Sequence, residues 1–253
     1  MLGGLAANHL ALTLAGMCPR SRLLGANLNR LPGACRQAGQ LALTFDDGPD
    51  PETTPRVLDL LEAHQARASF FLIGRRAARH PALVREILRR GHSVENHTDS
   101  HPLHFAALGP AGQRREILRA QAAISEAGGA PRFFRPPVGL HSPFTALVLA
   151  GTSLRYASWT RRGADGAIGD PARVLRRLHR AAAGDILLLH DGDSRPDAEG
   201  RPVVLAVLPL LLARLRAAGL SPVPLPEAVD GPAAPAAGAA AAGNPAPGVH
   251  ACR

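Results

Sequence analysis

The stretch Leu41-Ala42-Leu43-Thr44-Phe45-Asp46-Asp47-Gly48-Pro49 joins an apolar run to two adjacent carboxylates and a Gly-Pro turn. The run Leu41–Phe45 predicts a buried strand, because short apolar runs bounded by turn residues are typical of the interior of a parallel sheet. In α/β sheets, functional residues collect beyond the carboxyl ends of such strands. The stretch therefore predicts a first strand that carries Asp46 and Asp47 into a candidate site.

A second string, His97-Thr98-Asp99-Ser100-His101, supplies two imidazoles. Their i, i+4 spacing predicts that both lie on one face of a helix and can reach one ion. A zinc-type ion in a hydrolytic site takes about three protein ligands from His and Asp and keeps a position for water. One of the two adjacent aspartates can bind the metal while the other works as a base. The two strings together predict a metal-dependent hydrolase.

Outward from these strings, strand-like runs alternate with helix-like stretches. The predicted strands are Leu41–Phe45, Ala68–Ile73, His92–Glu95, Phe133–Arg135, Leu154–Trp159, Asp185–His190 and Pro222–Leu225. Thr54 before Pro55 and Asp170 before Pro171 predict capped helix starts. The alternation predicts an α/β fold with a mostly parallel sheet, most economically closed as a barrel, with an open doubly wound sheet as the alternative. No Gly-x-Gly-x-x-Gly follows the first strand, so nothing supports a dinucleotide site.

Length and composition limit the domain organisation. A chain of 253 residues, 46% of them hydrophobic, can build one α/β barrel. We place that domain at residues 40–230, after an N-terminal lead-in segment at 1–39. The Ala/Pro/Gly-rich residues 231–253 have little to bury and are predicted to be disordered. The three cysteines match neither a zinc spacing nor a disulfide framework and are interpreted as incidental thiols.

The formal net charge is +9, and all 29 basic residues are arginine. The arginines are scattered and no basic run is interleaved with aromatic residues, so we expect no nucleic-acid partner. The charge leaves weak attraction to acidic polysaccharide or to an anionic membrane open. The apolar stretch Met1–Met17 lacks a basic start and is interrupted by polar residues, which leaves the localisation open.

Ionisable residues follow strand after strand at the same predicted rim. Asp46 and Asp47 follow the first strand, His97 the third, Arg135 the fourth, Asp165 the fifth and His190 the sixth. Scattered polar residues would fall at both ends of the strands, so this clustering favours a single site.

These residues resemble the polysaccharide deacetylases with a NodB homology domain, over roughly Gln40 to Asp230. The five motifs of that family are matched, in family order, by Thr44–Pro49, His97–His101, Phe134–Gly139, Trp159–Asp165 and Leu188–His190. The resemblance implies a distorted (β/α)7 barrel, which agrees with the alternation of strands and helices.

The resemblance also implies a division of labour. Asp47, His97 and His101 would hold a divalent metal, typically Zn2+, although Co2+, Ni2+ or Fe2+ also serve in the family. Asp46 would be the general base that deprotonates the metal-bound water. Arg135 would pair with Asp46 and keep its carboxylate ionised and aimed.

Further roles follow from the remaining motifs. His190 would be the general acid that protonates the departing amine, and Asp165 would keep its imidazole charged and oriented. The backbone N–H of Val138, after Pro137, would stabilise the oxyanion. Leu188 and Trp159 would line an apolar pocket for the acyl methyl.

Two positions depart from the family pattern. Gly166 stands where the family often has Trp after the aspartate, which removes a wall of the groove. Val138 replaces a common Tyr, which matters little to a backbone contact but alters the surface that faces the substrate.

The expected function is hydrolysis of an N-acyl group on an amino sugar in a polysaccharide, oligosaccharide or glycolipid by a monomer. Two alternatives stay open. One is cleavage of an O-acetyl ester, or of another carbon–nitrogen bond, by the same machinery, and the other is a non-catalytic carbohydrate-binding barrel. The base and acid residues count against the last, because a binder would not need them.

Overall fold

The computed structural model describes residues 11–231. The predicted tail lies outside the described residues apart from Gly231, and so does the beginning of the lead-in segment. Residues 11–17 are helical and the rest of the lead-in packs beside the barrel. Within the described range, no helix is both long and apolar enough to cross a bilayer.

A sheet of short parallel strands forms the centre of the molecule. The strands are β1 Gln40–Asp46, β2 Ser69–Leu72, β3 Ser93–Asn96, β4 Phe133–Phe134, β5 Arg155–Tyr156, β6 Arg161–Arg162, β7 Ile186–His190 and β8 Ser221–Pro222. Their order is β5-β4-β3-β2-β1-β7-β6, and β8 pairs with the beginning of β1. This path of seven strands, with helices packed around it, confirms the predicted distorted (β/α)7 barrel.

The predicted strand Leu154–Trp159 is wrong as a single element. It forms β5 at one edge of the sheet, and the chain then crosses to form β6 at the other edge. Backbone pairing explains the crossing: Ala157 N–H still donates to Phe134 O, whereas Thr160 N–H donates to Ile186 O. The apolar run therefore continues through a connection that bridges the two edge strands instead of extending one of them.

Helices pack around the sheet, and the two short helices Gly33–Gln37 and Leu225–Asp230 contribute to the inner apolar cluster. The helices are α1 Gly33–Gln37, α2 Thr53–Ala63, α3 Gly74–Arg79, α4 Pro81–Arg89, α5 Pro110–Glu126, α6 Pro143–Ala150, α7 Pro171–Leu178, α8 Val203–Ala217 and α9 Leu225–Asp230. Asp170 caps α7 as predicted, accepting from the N–H groups of Ala172 and Arg173. Thr54 does not cap α2; Asp50 Oδ1 accepts from the N–H groups at the beginning of that helix.

The alternation of side chains along β1 decides what faces the interior of the barrel. Leu41, Leu43 and Phe45 pack into the large apolar cluster against the helices. Ala42 belongs to the inner cluster, and Thr44 and Asp46 follow at the same period of two. The strand therefore delivers Asp46 to the inside of the barrel, at the carboxyl end of the sheet.

Candidate metal centre

Asp47 is the first residue beyond β1, and its backbone has a positive φ of 72°. Its carboxylate is buried, and Oδ1 receives no hydrogen bond. The Nε2 atoms of His97 and His101 each lie 3.2 Å from this oxygen. A buried carboxylate oxygen that faces two ring nitrogens is an arrangement that a cation would complete.

The two histidines do not lie on a helix, and that expectation was wrong. They lie in the loop after β3, where Thr98 and His101 have positive φ values of 66° and 53°. Asn96 Oδ1 accepts from Thr98 N–H, and Thr98 Oγ1 accepts from His101 N–H, so polar side chains turn the loop back on itself. This tight loop, rather than a helical turn, brings the rings to a centroid separation of 5.0 Å.

The three side chains fit a metal ion. One candidate ligand atom from each of Asp47, His97 and His101 lies within 4.8 Å of the other two. His97 Nδ1 lies 2.7 Å from Arg135 O and donates to it, which leaves Nε2 facing the centre. Burial acts to raise the pKa of Asp47, but the surrounding imidazoles, above all His97, outweigh it and hold that pKa well below its usual range. The carboxylate is therefore ionised, as a metal ligand must be.

Asp46 is held by a buried arginine. Arg135 Nη1 lies 2.5 Å from Asp46 Oδ1, and the guanidinium is fully buried. Further hydrogen bonds from the guanidinium reach Thr44 Oγ1 and the backbone oxygens of the crossing segment at Ala157 and Ser158. The other carboxylate oxygen of Asp46 lies 3.9 Å from His97 Nε2, at the edge of the centre. The two adjacent aspartates therefore have different surroundings.

His190 ends β7 and pairs with Asp165, which is fully buried. His190 Nδ1 lies 2.9 Å from Asp165 Oδ1, and the backbone N–H of His190 donates to Oδ2 of the same carboxylate. Burial acts to lower the pKa of His190, but the charge and hydrogen bond of Asp165 raise it to about 9. The imidazole is thus held as a cation with Nε2 left for other contacts.

One cleft of about 410 Å3 collects these groups. It is lined by Asp46, Asp47, His97, His101 and His190 together with Leu188, Trp159, Val138 and Gly166. Val138 is 48% exposed and sits in a short 3-10 turn, with a positive φ of 50°. Pro137 is buried and does not line the cleft.

Sequence reasoning missed a rim contact that supports Asp47. Arg76 Nη1 donates to the backbone oxygen of Asp47 at 2.9 Å, and its Nη2 pairs with Asp193 at 2.8 Å. Asp193 lines the cleft three residues beyond His190. No local motif marks either residue; the pairing of β1 with β2 on one side and β7 on the other brings α3 and the loop after β7 together.

A second missed feature lies behind the centre. Asp191 is fully buried, and Thr54 Oγ1 donates to its Oδ2. Burial raises the pKa of Asp191 to about 7. Its carboxyl group packs so closely on Gly48 that a Cβ there would lie 2.2 Å from Oδ2, which explains the glycine in the turn.

This combination of a curled parallel barrel, a His/Asp cluster that could hold a metal and a buried aspartate paired with arginine at its carboxyl end is typical of metal-dependent hydrolases. The sequence profile of the polysaccharide deacetylase family matches residues 33–157. The chain is 37% identical over 182 residues to a peptidoglycan-N-acetylglucosamine deacetylase of Bacillus cereus, covering 71% of this chain and 83% of the relative. It is 36% identical over 194 residues to a chitooligosaccharide deacetylase of Bradyrhizobium, covering 73% and 88%.

Solved structures of similar proteins point to the same family. A family 4 carbohydrate esterase from Streptomyces lividans, in complex with acetate, superposes with a TM-score of 0.66 at 34% identity, covering 73% of this chain and 91% of that one. A peptidoglycan N-acetylglucosamine deacetylase in complex with an N-hydroxybenzamide superposes with a TM-score of 0.72 at 28% identity, covering 81% and 92%. The chain belongs to the polysaccharide deacetylase family, and the resemblance noted in the sequence is confirmed.

Proposed function

We propose that this protein hydrolyses the N-acetyl amide of N-acetylglucosamine units in an oligosaccharide, polysaccharide or glycolipid, releasing acetate and a free amine. The observation that supports the proposal is that two adjacent carboxylates have different partners. Asp47 Oδ1 faces both imidazoles, while Arg135 holds Asp46 beside them. A binding protein would need no base beside a metal ligand set.

Asp47, His97 and His101 would hold the metal, and we propose Zn2+ because two imidazoles and one carboxylate form a typical zinc ligand set. Co2+, Ni2+ and Fe2+ accept the same donors. When bound, the ion would polarise the amide carbonyl and make water acidic enough to react near neutral pH.

Asp46 would take the proton from the attacking water. A general base must lie within reach of the water, and the salt bridge to Arg135 holds the Asp46 carboxylate at the edge of the centre. Because the guanidinium is also fixed by three other acceptors, the carboxylate has one orientation rather than several. We therefore assign Arg135 to the positioning of Asp46.

His190 would complete the reaction by donating a proton to the amide nitrogen as the carbon–nitrogen bond breaks. The pKa of about 9 keeps its imidazole protonated at neutral pH, as an acid requires. Asp165 would hold the ring in place, the backbone N–H of Val138 would stabilise the oxyanion, and Leu188 and Trp159 would receive the acyl methyl. Pro137 would contribute through the backbone turn that presents Val138.

The substrate class is proposed from the relatives, whose names specify peptidoglycan N-acetylglucosamine and chito-oligosaccharides. An O-acetyl esterase could use the same residues, since hydroxide attack on an ester is an easier version of the same reaction. It would, however, gain less from His190, because an alcohol oxygen can leave as an alkoxide, whereas the amide nitrogen must be protonated before it can leave.

The proposal is tested by metal analysis combined with acetate release from two substrates. One is fully N-acetylated chitotetraose, called chitotetraose below, and the other is an O-acetylated xylo-oligosaccharide. We expect bound zinc and release from the N-acetylated sugar. Asp46→Asn should retain the metal and lose at least about 100-fold in kcat, the usual weight of a general base. Absence of bound metal together with undiminished activity of Asp46→Asn would overturn the mechanism.

A further inference from the structure

Four arginines line a groove beside the cleft. The groove has a volume of about 570 Å3 and is lined by Cys18, Pro19, Arg20, Trp159, Thr160, Arg161, Arg162 and Arg177. These arginines come from the lead-in, from β6 and from α7, so only the fold brings them together. Among the described residues no acidic side chain lines this groove.

Within residues 11–231, three of the four guanidinium groups have no carboxylate partner. Arg161 pairs with Asp185 at 2.7 Å. Arg20 and Arg177 instead donate to the backbone oxygens of Thr160 and Arg162, and no ion pair within residues 11–231 involves Arg20, Arg162 or Arg177. Positive charge concentrated in a concave surface without compensation attracts anions.

Two other pairs of converging arginines each meet a carboxylate. Arg132 and Arg155 share Asp230, with distances of 2.8 and 2.6 Å. Arg89 and Arg90 share Glu86, both at 2.7 Å. The groove differs from these two pairs in lacking the counter-charge, and it is concave and lies beside the cleft.

The groove adjoins the catalytic cleft. Trp159 and Arg162 line both, and the guanidinium carbon of Arg162 lies 6.0 Å from the centroid of the Trp159 ring. Pro19 reaches the same place: a Cβ on Gly139 would lie 2.3 Å from the Trp159 ring and 3.1 Å from Pro19 Cβ. A ligand in the groove would thus extend directly from a sugar whose acyl group occupies the cleft.

We propose that this groove, with Arg20, Arg162 and Arg177, is a subsite for an anionic group on the sugar unit next to the one that is deacetylated. The inference rests on the proposed function. Guanidinium forks bind carboxylate and phosphate through paired, charge-assisted hydrogen bonds, so the substrate class is an acidic glycan bearing one of these groups.

Three tetrasaccharides test the subsite at low and high salt. Chitotetraose is neutral, a hyaluronan tetrasaccharide carries carboxylates beside N-acetylglucosamine, and a phosphorylated chitotetraose carries phosphate. We expect kcat/KM to be about tenfold higher for at least one acidic sugar than for the neutral one at low salt, and the ratio to fall as salt screens the charges. The carboxylate and phosphate arms show which group the subsite takes.

The double variant Arg20→Gln/Arg177→Gln should reduce the acidic-to-neutral ratio about tenfold. The control Arg173→Gln/Arg176→Gln removes the same charge from exposed positions of α7 that do not line the groove, and it should keep the wild-type ratio. Equal loss in both double variants would show a general charge effect and overturn the subsite.

Equilibrium binding of the hyaluronan tetrasaccharide, compared with chitotetraose, separates the two proposals because it requires no turnover. Preferential binding that disappears in Arg20→Gln/Arg177→Gln supports the subsite even if no sugar is deacetylated, in which case the proposed function fails alone. Deacetylation of chitotetraose with no preference for either acidic sugar, in binding or in rate, overturns the subsite and leaves the function standing.

Discussion

At the residue scale, the role of each titratable side chain depends on the group that it contacts. Asp46 and Asp47 are adjacent in sequence, yet one faces a guanidinium and the other two imidazoles. Successive residues at a strand end point in different directions, so adjacency itself separates their roles. His190 and His92 show the same principle for histidine, since Asp165 raises one pKa while burial lowers the other.

Replacing Asp165 with Asn should weaken His190 as an acid. The carboxylate raises the pKa of His190 to about 9, so the alkaline limb of the wild-type kcat profile should lie near that pH. Without the charge, burial remains and the limb should move toward or below pH 6.5, the ordinary value for histidine. The profile of kcat against pH measures the shift.

At pH 8, this variant should lose about tenfold or more in kcat, because most of its imidazole is deprotonated there. Bound metal should be unchanged, since Asp165 is not one of the proposed ligands. An unshifted alkaline limb would mean that another group supplies the proton.

His92 should make the fold sensitive to acid. Its ring is buried, Nδ1 accepts from Ala68 N–H at 3.2 Å, and burial, helped by the charges of Arg90 and Arg67, lowers its pKa to about 4. In the unfolded chain the pKa is about 6.5, so below that pH only the unfolded state binds the proton. The free energy of unfolding should therefore fall as the pH drops from about 6.5 to 4, by up to about 3 kcal/mol.

Urea unfolding of wild type and His92→Asn at pH 7 and pH 4.5 measures this term. Asn retains an acceptor for Ala68 N–H but cannot take up a proton, so its stability should depend less on pH. Equal pH dependence in the two proteins would exclude His92 as the cause.

At the element scale, one buried side chain adds to the backbone pairing that holds the crossing between β5 and β6. Arg135, just beyond β4, donates to two carbonyl groups of the crossing segment and to Asp46. Phe71 packs against its guanidinium at 3.9 Å from the ring centroid. One side chain thus links β4, the crossing segment and the end of β1.

Removing this arginine should leave a buried, unpaired carboxylate. We expect Arg135→Gln to lower the free energy of unfolding by about 3 kcal/mol, because breaking a buried ion pair leaves one charge buried without a partner. The double variant Asp46→Asn/Arg135→Gln should be more stable than Arg135→Gln alone, since it no longer buries that charge. Denaturant unfolding of the two single variants and the double variant measures the coupling, and additive effects would contradict it.

At the scale of the whole molecule, the sequence predicted the barrel and its rim because both follow from local patterns. Apolar runs define the strands, and the site residues stand directly after them. The path of the chain between β5 and β6 was missed because hydrogen bonds with distant strands decide it. The loop at His97–His101 was predicted as a helix, since spacing alone does not distinguish a helical turn from a loop closed by polar side chains.

The same limit applies to the site. Motifs named the residues that follow strands, but Arg76, Asp193 and Arg20 come from elements whose meeting depends on the fold. At Gly166 the chain has no side chain although there is space for one. A Cβ there would lie 3.7 Å from the His190 ring, which is an ordinary van der Waals contact. The cleft is therefore open on the side of the proposed acid.

A metal at the centre would join the end of β1 to the loop after β3, and this should appear in the stability of the whole protein. Asp47 comes from the former, and His97 and His101 from the latter. An ion that binds only the folded state at a free concentration 100 times its Kd adds about 2.7 kcal/mol. Chelation should therefore lower Tm, and Zn2+ should restore it, whereas Asp47→Ala should show no response to either treatment. Because Asp46→Asn keeps all three ligands, it should respond as the wild type does, and a wild-type Tm indifferent to chelator and Zn2+ would exclude a metal that bridges these two elements.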